Sequence, residues 1–354
     1  MSEAGTAHPE RSGRAAAAES KGRPHLGFLG VGWIGRNRME AIARSGCANL
    51  AAVAEPSEDA AREAAQVAPG CAIVPTLDAL LDLPLDGVVI ATPSALHADQ
   101  AVRALERGVA VFCQKPLGRT ADEVRRVVAA ARGADLLLGV DLSYRFVRGV
   151  PALRELVRSG ALGRVYAVDL VFHNAYGPDK AWFYDVAQAG GGCVMDLAIH
   201  LVDLALWTLD FPAVNVLASR LSAKGRAIAG RGEVEDHASA LLDIPGGPTV
   251  QLACSWRLAA GRDCVIEASF YGTEGGASLR NVGGSFYDFT VERFTGTSRE
   301  MLAQPPDSWG GRAAVAWAEA LAGGARYDPA VEGLVQVAGA LDDVYARSRP
   351  GETS

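Results

Sequence analysis

The sequence has few lysines and no cysteine spacing typical of a metal site. Of its 34 basic residues thirty are arginines, and the four lysines are Lys21, Lys115, Lys180 and Lys224. A lysine at the end of an apolar run is therefore notable in this chain. The six cysteines are scattered and contain no C-x-x-C pair. This pattern predicts reduced thiols in a cytoplasmic protein and no bound metal.

The chain also lacks an excess of positive charge and an uninterrupted apolar run. Its net charge of -7 and pI of about 5.5 argue against a nucleic-acid or anionic-membrane partner. Residues 1–23 have no apolar core, so we expect a disordered tail rather than a signal peptide, and a second short tail at 349–354. The most apolar stretch, 194–209, is too short and too charged to span a membrane.

The N-terminal third alternates short apolar runs with amphipathic segments. The predicted strands are 26–29, 50–54, 87–91, 109–113 and 136–140, and the predicted helices are 36–44, 58–67, 95–107 and 121–132. Apolar strands separated by helices indicate a parallel sheet that is covered on both faces. The sequence therefore predicts an α/β protein with a doubly wound dinucleotide-binding domain over residues 24–143.

Beyond residue 143 consecutive strands follow one another without helices between them. A helix at 147–159, a strand at 165–172 and a long helix after Gly192 are followed by strands near 214–221, 238–244, 249–256, 264–271 and 286–294, and by helices at 312–321 and 330–345. Consecutive strands of this kind indicate an antiparallel sheet. We expect a second domain over 144–348.

A glycine loop, Gly30-Val31-Gly32-Trp33-Ile34-Gly35, joins the first strand to the first helix. Gly30 permits a tight turn, Gly32 lets the backbone approach a pyrophosphate, and Gly35 allows close packing of helix on strand. By itself this could be a glycine-rich turn without a ligand. Glu55, however, ends the second strand, where a carboxylate accepts hydrogen bonds from a ribose and repels a 2′-phosphate. The pattern predicts NAD as cofactor, with NADP possible.

Two further strands end in polar residues at the same edge of the sheet. Thr92, Pro93 and His97 follow one strand, and Gln114, Lys115 and Pro116 follow another. Ligands bind at the carboxyl ends of parallel strands, so we expect these residues to contact the cofactor. Alone, His97 is better explained as a surface histidine and Lys115 as a solvated lysine, but the glycine loop and Glu55 favour the binding role for the lysine.

Asp196 and His200 are spaced as neighbours on one face of an α-helix, with Asp203 on the same side. Histidine is well suited to accept an alcohol proton near neutral pH. A polar stripe facing water is the alternative, but apolar residues surround this helix and indicate that it is buried. We expect an aromatic, polar substrate pocket to include the residues Tyr144, Arg145, His173, Trp182, Tyr184, Asp196 and His200.

Taken together, these motifs resemble the Gfo/Idh/MocA oxidoreductases over residues 26–348. The family resemblance implies a Rossmann domain, a C-terminal α/β domain with a large, mostly antiparallel sheet, and a homodimer or homotetramer. It assigns catalytic positions to Lys115, Asp196 and His200. Two residues depart from the family pattern: Gln114 replaces the usual glutamate and so brings no negative charge beside Lys115, and Ala198 stands where glycine is common.

The resemblance implies hydride transfer between a nicotinamide and a ring carbon of a sugar, sugar derivative or cyclitol. Three alternatives remain at this stage. The chain could be a glycosidase that uses bound NAD transiently, a regulator that binds the dinucleotide without catalysis, or an oxidoreductase of a non-carbohydrate ring. The presence of both Lys115 and His200 disfavours the regulator.

Overall fold

The computed structural model describes residues 22–349 and contains two β-sheets with helices packed against them. It is the α/β architecture expected from the sequence, with one parallel and one mostly antiparallel sheet. The predicted tails lie almost entirely outside the described residues.

The first sheet is parallel and has the strand order β3-β2-β1-β4-β5-β6. Its strands are β1 (His25–Leu29), β2 (Asn49–Ala54), β3 (Ala72–Val74), β4 (Gly87–Ile90), β5 (Ala110–Cys113) and β6 (Leu138–Val140). The helices between them are α1 (Trp33–Ser45), α2 (Glu58–Val67), α3 (Leu77–Leu81), α4 (Ser94–Glu106) and α5 (Ala121–Ala134). The sequence did not predict β3 or α3, which are short and have no clear periodicity.

The second sheet has nine strands in the order β15-β14-β13-β12-β7-β11-β10-β8-β9. Its strands are β7 (Val165–Asn174), β8 (Asn215–Ala223), β9 (Arg226–Ile228), β10 (His237–Asp243), β11 (Thr249–Ser255), β12 (Cys264–Gly272), β13 (Gly276–Asn281), β14 (Phe289–Thr295) and β15 (Ser298–Ala303). The remaining helices are α6 (Val150–Arg158), α7 (Val186–Ala189), α8 (Ile199–Thr208), α9 (Arg312–Ala322) and α10 (Gly333–Arg347). Within this sheet, β7 and β11 are the one pair of described strands that run parallel to each other.

One face of the nine-stranded sheet forms the larger hydrophobic core. Along β7, the alternate residues Val168, Leu170 and Phe172 are buried in this core, and so are apolar residues of α8. The stretch Val186–Thr208, which contains α7 and α8, is long and apolar enough to cross a membrane, but 89% of its most apolar window is buried within the protein. It is therefore a core helix.

The segment that carries Asp196 is a π-helical turn over Val194–Ala198, followed directly by α8. The expectation of a regular α-helix with Asp196 and His200 one turn apart is wrong in this respect. Ala198, which stands where glycine is common in the family, lies inside the π-helical turn and is fully buried. Turns of this kind loosen the i to i+4 hydrogen-bond ladder and often occur at functional sites.

Helix α9 packs on the parallel sheet, although it follows the antiparallel strands in sequence. Ala314 and Trp317 belong to the same hydrophobic cluster as Leu26 and Phe28, and the Trp317 ring lies 5.7 Å from that of Phe112. A domain division at residue 143 therefore does not account for this helix. It packs beside α1 on the same face of the sheet, because Met39 and Ile42 of α1 belong to the same cluster.

Candidate active site

A cavity of about 860 Å³ lies where the carboxyl edge of the parallel sheet faces the π-helical turn. The predicted cofactor-contacting residues that line it are Gly32, Trp33, Ile34, Thr92, Pro93, His97, Gln114 and Lys115. The predicted substrate-contacting residues that line it are Tyr144, Trp182, Asp196 and His200. The structure thus brings residues from well-separated stretches of the chain to one cavity.

The glycine loop has the shape that a bound pyrophosphate requires. Gly30 has a φ of +81°, and a Cβ at Gly35 would lie 2.2 Å from the carbonyl oxygen of Gly30. At Gly32, by contrast, a Cβ would meet no protein atom within 4 Å, so this position faces open space. Helix α1 begins there without a side-chain cap. Its first N–H groups are available to an anion, so the loop fits a dinucleotide.

Glu55 supports the glycine loop from the end of β2. Its Oε2 accepts a hydrogen bond of 2.8 Å from the N–H of Val31, and its Oε1 accepts one of 3.0 Å from the N–H of Ser57. The carboxylate is thereby fixed beside the loop, outside the cavity lining. This is the position from which an acidic residue can meet the adenosine ribose of a bound dinucleotide.

Lys115 joins the parallel sheet to the π-helical turn. Its Nζ donates to Oδ1 of Asp196 at 2.7 Å and to the Asp196 carbonyl oxygen at 2.8 Å. The other carboxylate oxygen of Asp196 accepts from the indole N–H of Trp256 at 3.0 Å. An ammonium group has three donors, so one remains for a substrate oxygen. Asp196 supplies the negative charge beside Lys115 that Gln114 does not bring. The peptide bond between Lys115 and Pro116 is cis.

His200 lies at the same cavity with its ring packed against Tyr144, at 5.0 Å between ring centroids. Its Nδ1 is buried and has no hydrogen-bond partner within residues 22–349. Burial lowers the pKa of His200 well below its usual value, and the positive charges of Lys115 and Arg38 lower it further. The imidazole is therefore neutral near pH 7 and able to accept a proton.

His97 is buried and uses both ring nitrogens within the protein. Nδ1 lies 2.7 Å from the carbonyl oxygen of Pro116, and Nε2 lies 2.7 Å from that of Thr92. The ring links the ends of β4 and β5 and so supports the Lys115 loop. Its ring nitrogens are not free for the cofactor contact expected from the sequence, and we interpret His97 as a residue that positions the loop.

Three predicted substrate contacts do not line the cavity. Arg145 forms a two-point ion pair with the buried Asp203, with Nε 2.8 Å from Oδ2, and neither residue reaches the cavity with Asp196 and His200. His173 bonds to the hydroxyl of Ser255 at 2.8 Å. Tyr184 is 41% exposed and donates to the carbonyl of Pro178. Each side chain turns towards a nearer polar partner, which the spacing of residues along the chain does not reveal.

A buried polar network beside Lys115 was not predicted. Asp141, which is fully buried, accepts from Arg38 Nε at 2.5 Å, from Ser143 Oγ at 2.6 Å and from Gln114 Nε2 at 3.0 Å. The one available sequence signal was an aspartate directly after a predicted strand, at the edge where ligands bind. Arg38, Asp141 and Ser143 all line the cavity.

Models of two protein-family domains match the chain. Residues 25–142 match the oxidoreductase family described as having an NAD-binding Rossmann fold, and residues 150–278 match the GFO/IDH/MocA C-terminal domain. Together they extend from β1 into β13.

Similar proteins include enzymes and solved structures. The inositol 2-dehydrogenase of Rhizobium meliloti is 31% identical over 72% of this chain and 75% of its own length. The rhizopine catabolism protein MocA of the same species is 29% identical over 73% and 78%. The crystal structure of KijD10, a 3-ketoreductase from Actinomadura kijaniata in complex with NADP and TDP-benzene, has a TM-score of 0.78 and 22% identity, covering 93% of this chain and 98% of that one. At that identity the structural likeness shows the fold alone.

Proposed function

The chain belongs to the Gfo/Idh/MocA family of oxidoreductases, and we propose that it oxidises or reduces a ring carbon of a sugar, sugar derivative or cyclitol with NAD. One observation carries this proposal: the Lys115–Asp196 ion pair and His200 line the same cavity as the glycine loop. An acid–base pair beside a dinucleotide loop is the arrangement that alcohol oxidation requires.

In the proposed reaction, His200 accepts the proton of the substrate hydroxyl. Its neutral form makes this possible, and its packing against Tyr144 fixes the ring plane. The remaining N–H of Lys115 stabilises the negative charge that develops on the same oxygen. Asp196 orients Lys115, since both of its carboxylate oxygens are already engaged by Lys115 and Trp256. Bound NAD would supply the nicotinamide ring that accepts the hydride.

The cofactor preference proposed is NAD over NADP. Glu55 is held beside the glycine loop by the N–H groups of Val31 and Ser57, so a 2′-phosphate near it would meet a fixed carboxylate. Such repulsion disfavours the phosphorylated cofactor.

A substrate panel tests the proposed function. Purified protein is incubated with NAD or NADP and with free sugars, glycosides, sugar nucleotides and inositols, and nicotinamide reduction is followed by absorbance. We expect NADH to accumulate with at least one ring polyol. Sugar released from a glycoside without net NADH would instead indicate the NAD-dependent glycosidase reaction. The His200→Gln variant serves as the control for background reduction.

We also propose a cytoplasmic homo-oligomer. The six cysteines are all unpaired thiols, four of them buried, as in proteins of reducing compartments. The open face of the nine-stranded sheet carries exposed apolar residues on two of its strands, Leu217 and Leu241. Burying such a face against a second copy would cover them. Sedimentation of the purified protein, with the Leu241→Lys variant for comparison, measures the oligomeric state.

A further inference from the structure

The amide of Gln114 has a single orientation in which both of its ends are satisfied. Its Nε2 donates to Oδ2 of Asp141 at 3.0 Å, and its Oε1 accepts the backbone N–H of Lys115 at 2.9 Å. Gln114 follows β5 and Asp141 follows β6, and these strands are neighbours in the parallel sheet. The two residues therefore connect adjacent strand ends through the backbone of the catalytic lysine.

Asp141 anchors this connection. The Oδ2 that accepts from Gln114 also accepts from Arg38 Nε at 2.5 Å, while Oδ1 accepts from Ser143 Oγ at 2.6 Å. The carboxylate has no exposed surface, so its interactions with neighbouring groups are little screened by solvent. A second negative charge beside it would be costly, because buried like charges cannot both stay ionised.

We propose that Asp141 is a positioning residue for Lys115, and that position 114 is a glutamine because an amide, unlike an ionised carboxylate, donates to Asp141 while it accepts from the Lys115 N–H. A glutamate at position 114 would place two carboxylates about 3 Å apart in the variant, as the present Nε2–Oδ2 distance of 3.0 Å indicates. The kinetic test rests on the proposed role of Lys115; the stability test below does not.

Other charged or titratable groups surround the pair and have to be controlled for. They are Arg38 on α1, Cys113 at the end of β5, Lys115 itself, and Asp196 and His200 across the cavity. All of them are common to the wild type and to any variant at position 114. The ratio of variant to wild type at each pH therefore isolates the Gln114–Asp141 pair.

The decisive variant is Gln114→Glu. At low pH the introduced carboxyl is protonated and donates to Asp141 as the amide does. As the pH rises that proton is lost, so we expect kcat/KM relative to wild type to fall by about ten- to hundredfold between about pH 5 and pH 9. The melting temperature should also fall relative to wild type over the same interval. A ratio that stays flat in both measurements overturns the proposal.

Two further variants separate the effect of losing the hydrogen bonds of Gln114 from the effect of adding a negative charge. Gln114→Leu removes both hydrogen bonds without adding a charge, so its activity should be reduced by the same factor at every pH. In Gln114→Glu combined with Asp141→Asn, the asparagine can donate to the introduced carboxylate, and the pH dependence should disappear. Persistence of the pH dependence in the double variant contradicts the pairing. If the wild type oxidises no compound of the panel, the melting temperatures still decide this inference independently of the proposed function.

Discussion

Lys115 and Asp196 form a direct link between the parallel sheet and the π-helical turn, with Nζ 2.7 Å from Oδ1 and 2.8 Å from the Asp196 carbonyl oxygen. Both side chains are only 16% exposed, so the pair is weakly screened by solvent. The link fixes the lysine at the cavity that also contains His200.

Replacing Lys115 by methionine should remove the charge that stabilises the developing oxyanion while keeping most of the side-chain volume. We expect kcat to fall by on the order of 10²–10³, with the dissociation constant for NADH changed little. Stopped-flow turnover and NADH fluorescence titration measure the two quantities. Lys224→Met, at an exposed lysine in a turn that does not line the cavity, is the matched control. Equal losses in both variants would exclude a specific role for Lys115.

The pKa of His200 should rise when Lys115 loses its charge. Burial is the main cause of its lowered value, but Lys115 is the second, and removing a like charge favours the protonated imidazole. In wild type the histidine stays neutral until the pH is well below its usual value of about 6.5. NMR titration of the His200 ring in wild type, Lys115→Met and Lys224→Met should show an upward shift in the Lys115 variant alone. An unchanged value there would contradict the contact across the cavity.

The sequence predicted parts of the site from sheet topology and from helical spacing. Thr92, Gln114 and Lys115 were expected together because parallel strands end at the same sheet edge, and the six-stranded sheet places them there. Asp196 and His200 were identified from their spacing, and both reach the cavity although the turn between them is π-helical. Local sequence patterns were therefore sufficient to predict those site residues whose positions follow from the path of the backbone.

The contacts of the site that the sequence did not predict join residues that are far apart in the chain. Trp256 reaches Asp196 from the end of β11, and Asp141 meets Arg38 over a separation of 103 residues. Arg145 was predicted to line the substrate pocket. Its guanidinium instead forms a buried two-point ion pair with Asp203. No periodicity in the chain encodes such choices, because they arise from packing between elements.

Gly32→Ala should weaken cofactor binding without weakening the fold. The Gly32 backbone has a φ of −56°, which alanine adopts freely, and a Cβ there would meet no protein atom within 4 Å. The added methyl group would instead occupy the space that a pyrophosphate needs. We expect the dissociation constant for NADH to rise at least about tenfold, equivalent to about 1.4 kcal/mol, with the melting temperature unchanged. Gly133→Ala, at an open position in α5, controls for the substitution itself and should leave NADH affinity unaltered.

Glu235 should be needed to hold the start of the π-helical turn that carries Asp196. Its Oε1 accepts hydrogen bonds of 2.9 Å from the N–H groups of Gly192 and Val194 and one of 2.8 Å from the hydroxyl of Tyr345. Glu235→Ala leaves these buried donors unsatisfied, so the free energy of unfolding should fall by on the order of 3 kcal/mol. Glu235→Gln keeps an acceptor at Oε1 and should lose much less. Urea unfolding compares the two variants.

The difference in stability between Glu235→Gln and wild type should change with pH in a definite direction. Burial raises the pKa of the Glu235 carboxyl above its usual value, because the ionised form is poorly solvated there. Wild type therefore loses stability as the pH rises from the unfolded-state pKa of about 4.3 towards the raised folded-state value. Glu235→Gln has no such group, so its stability relative to wild type should increase over that interval. A difference that does not change with pH would show that Glu235 is ionised without penalty in the fold.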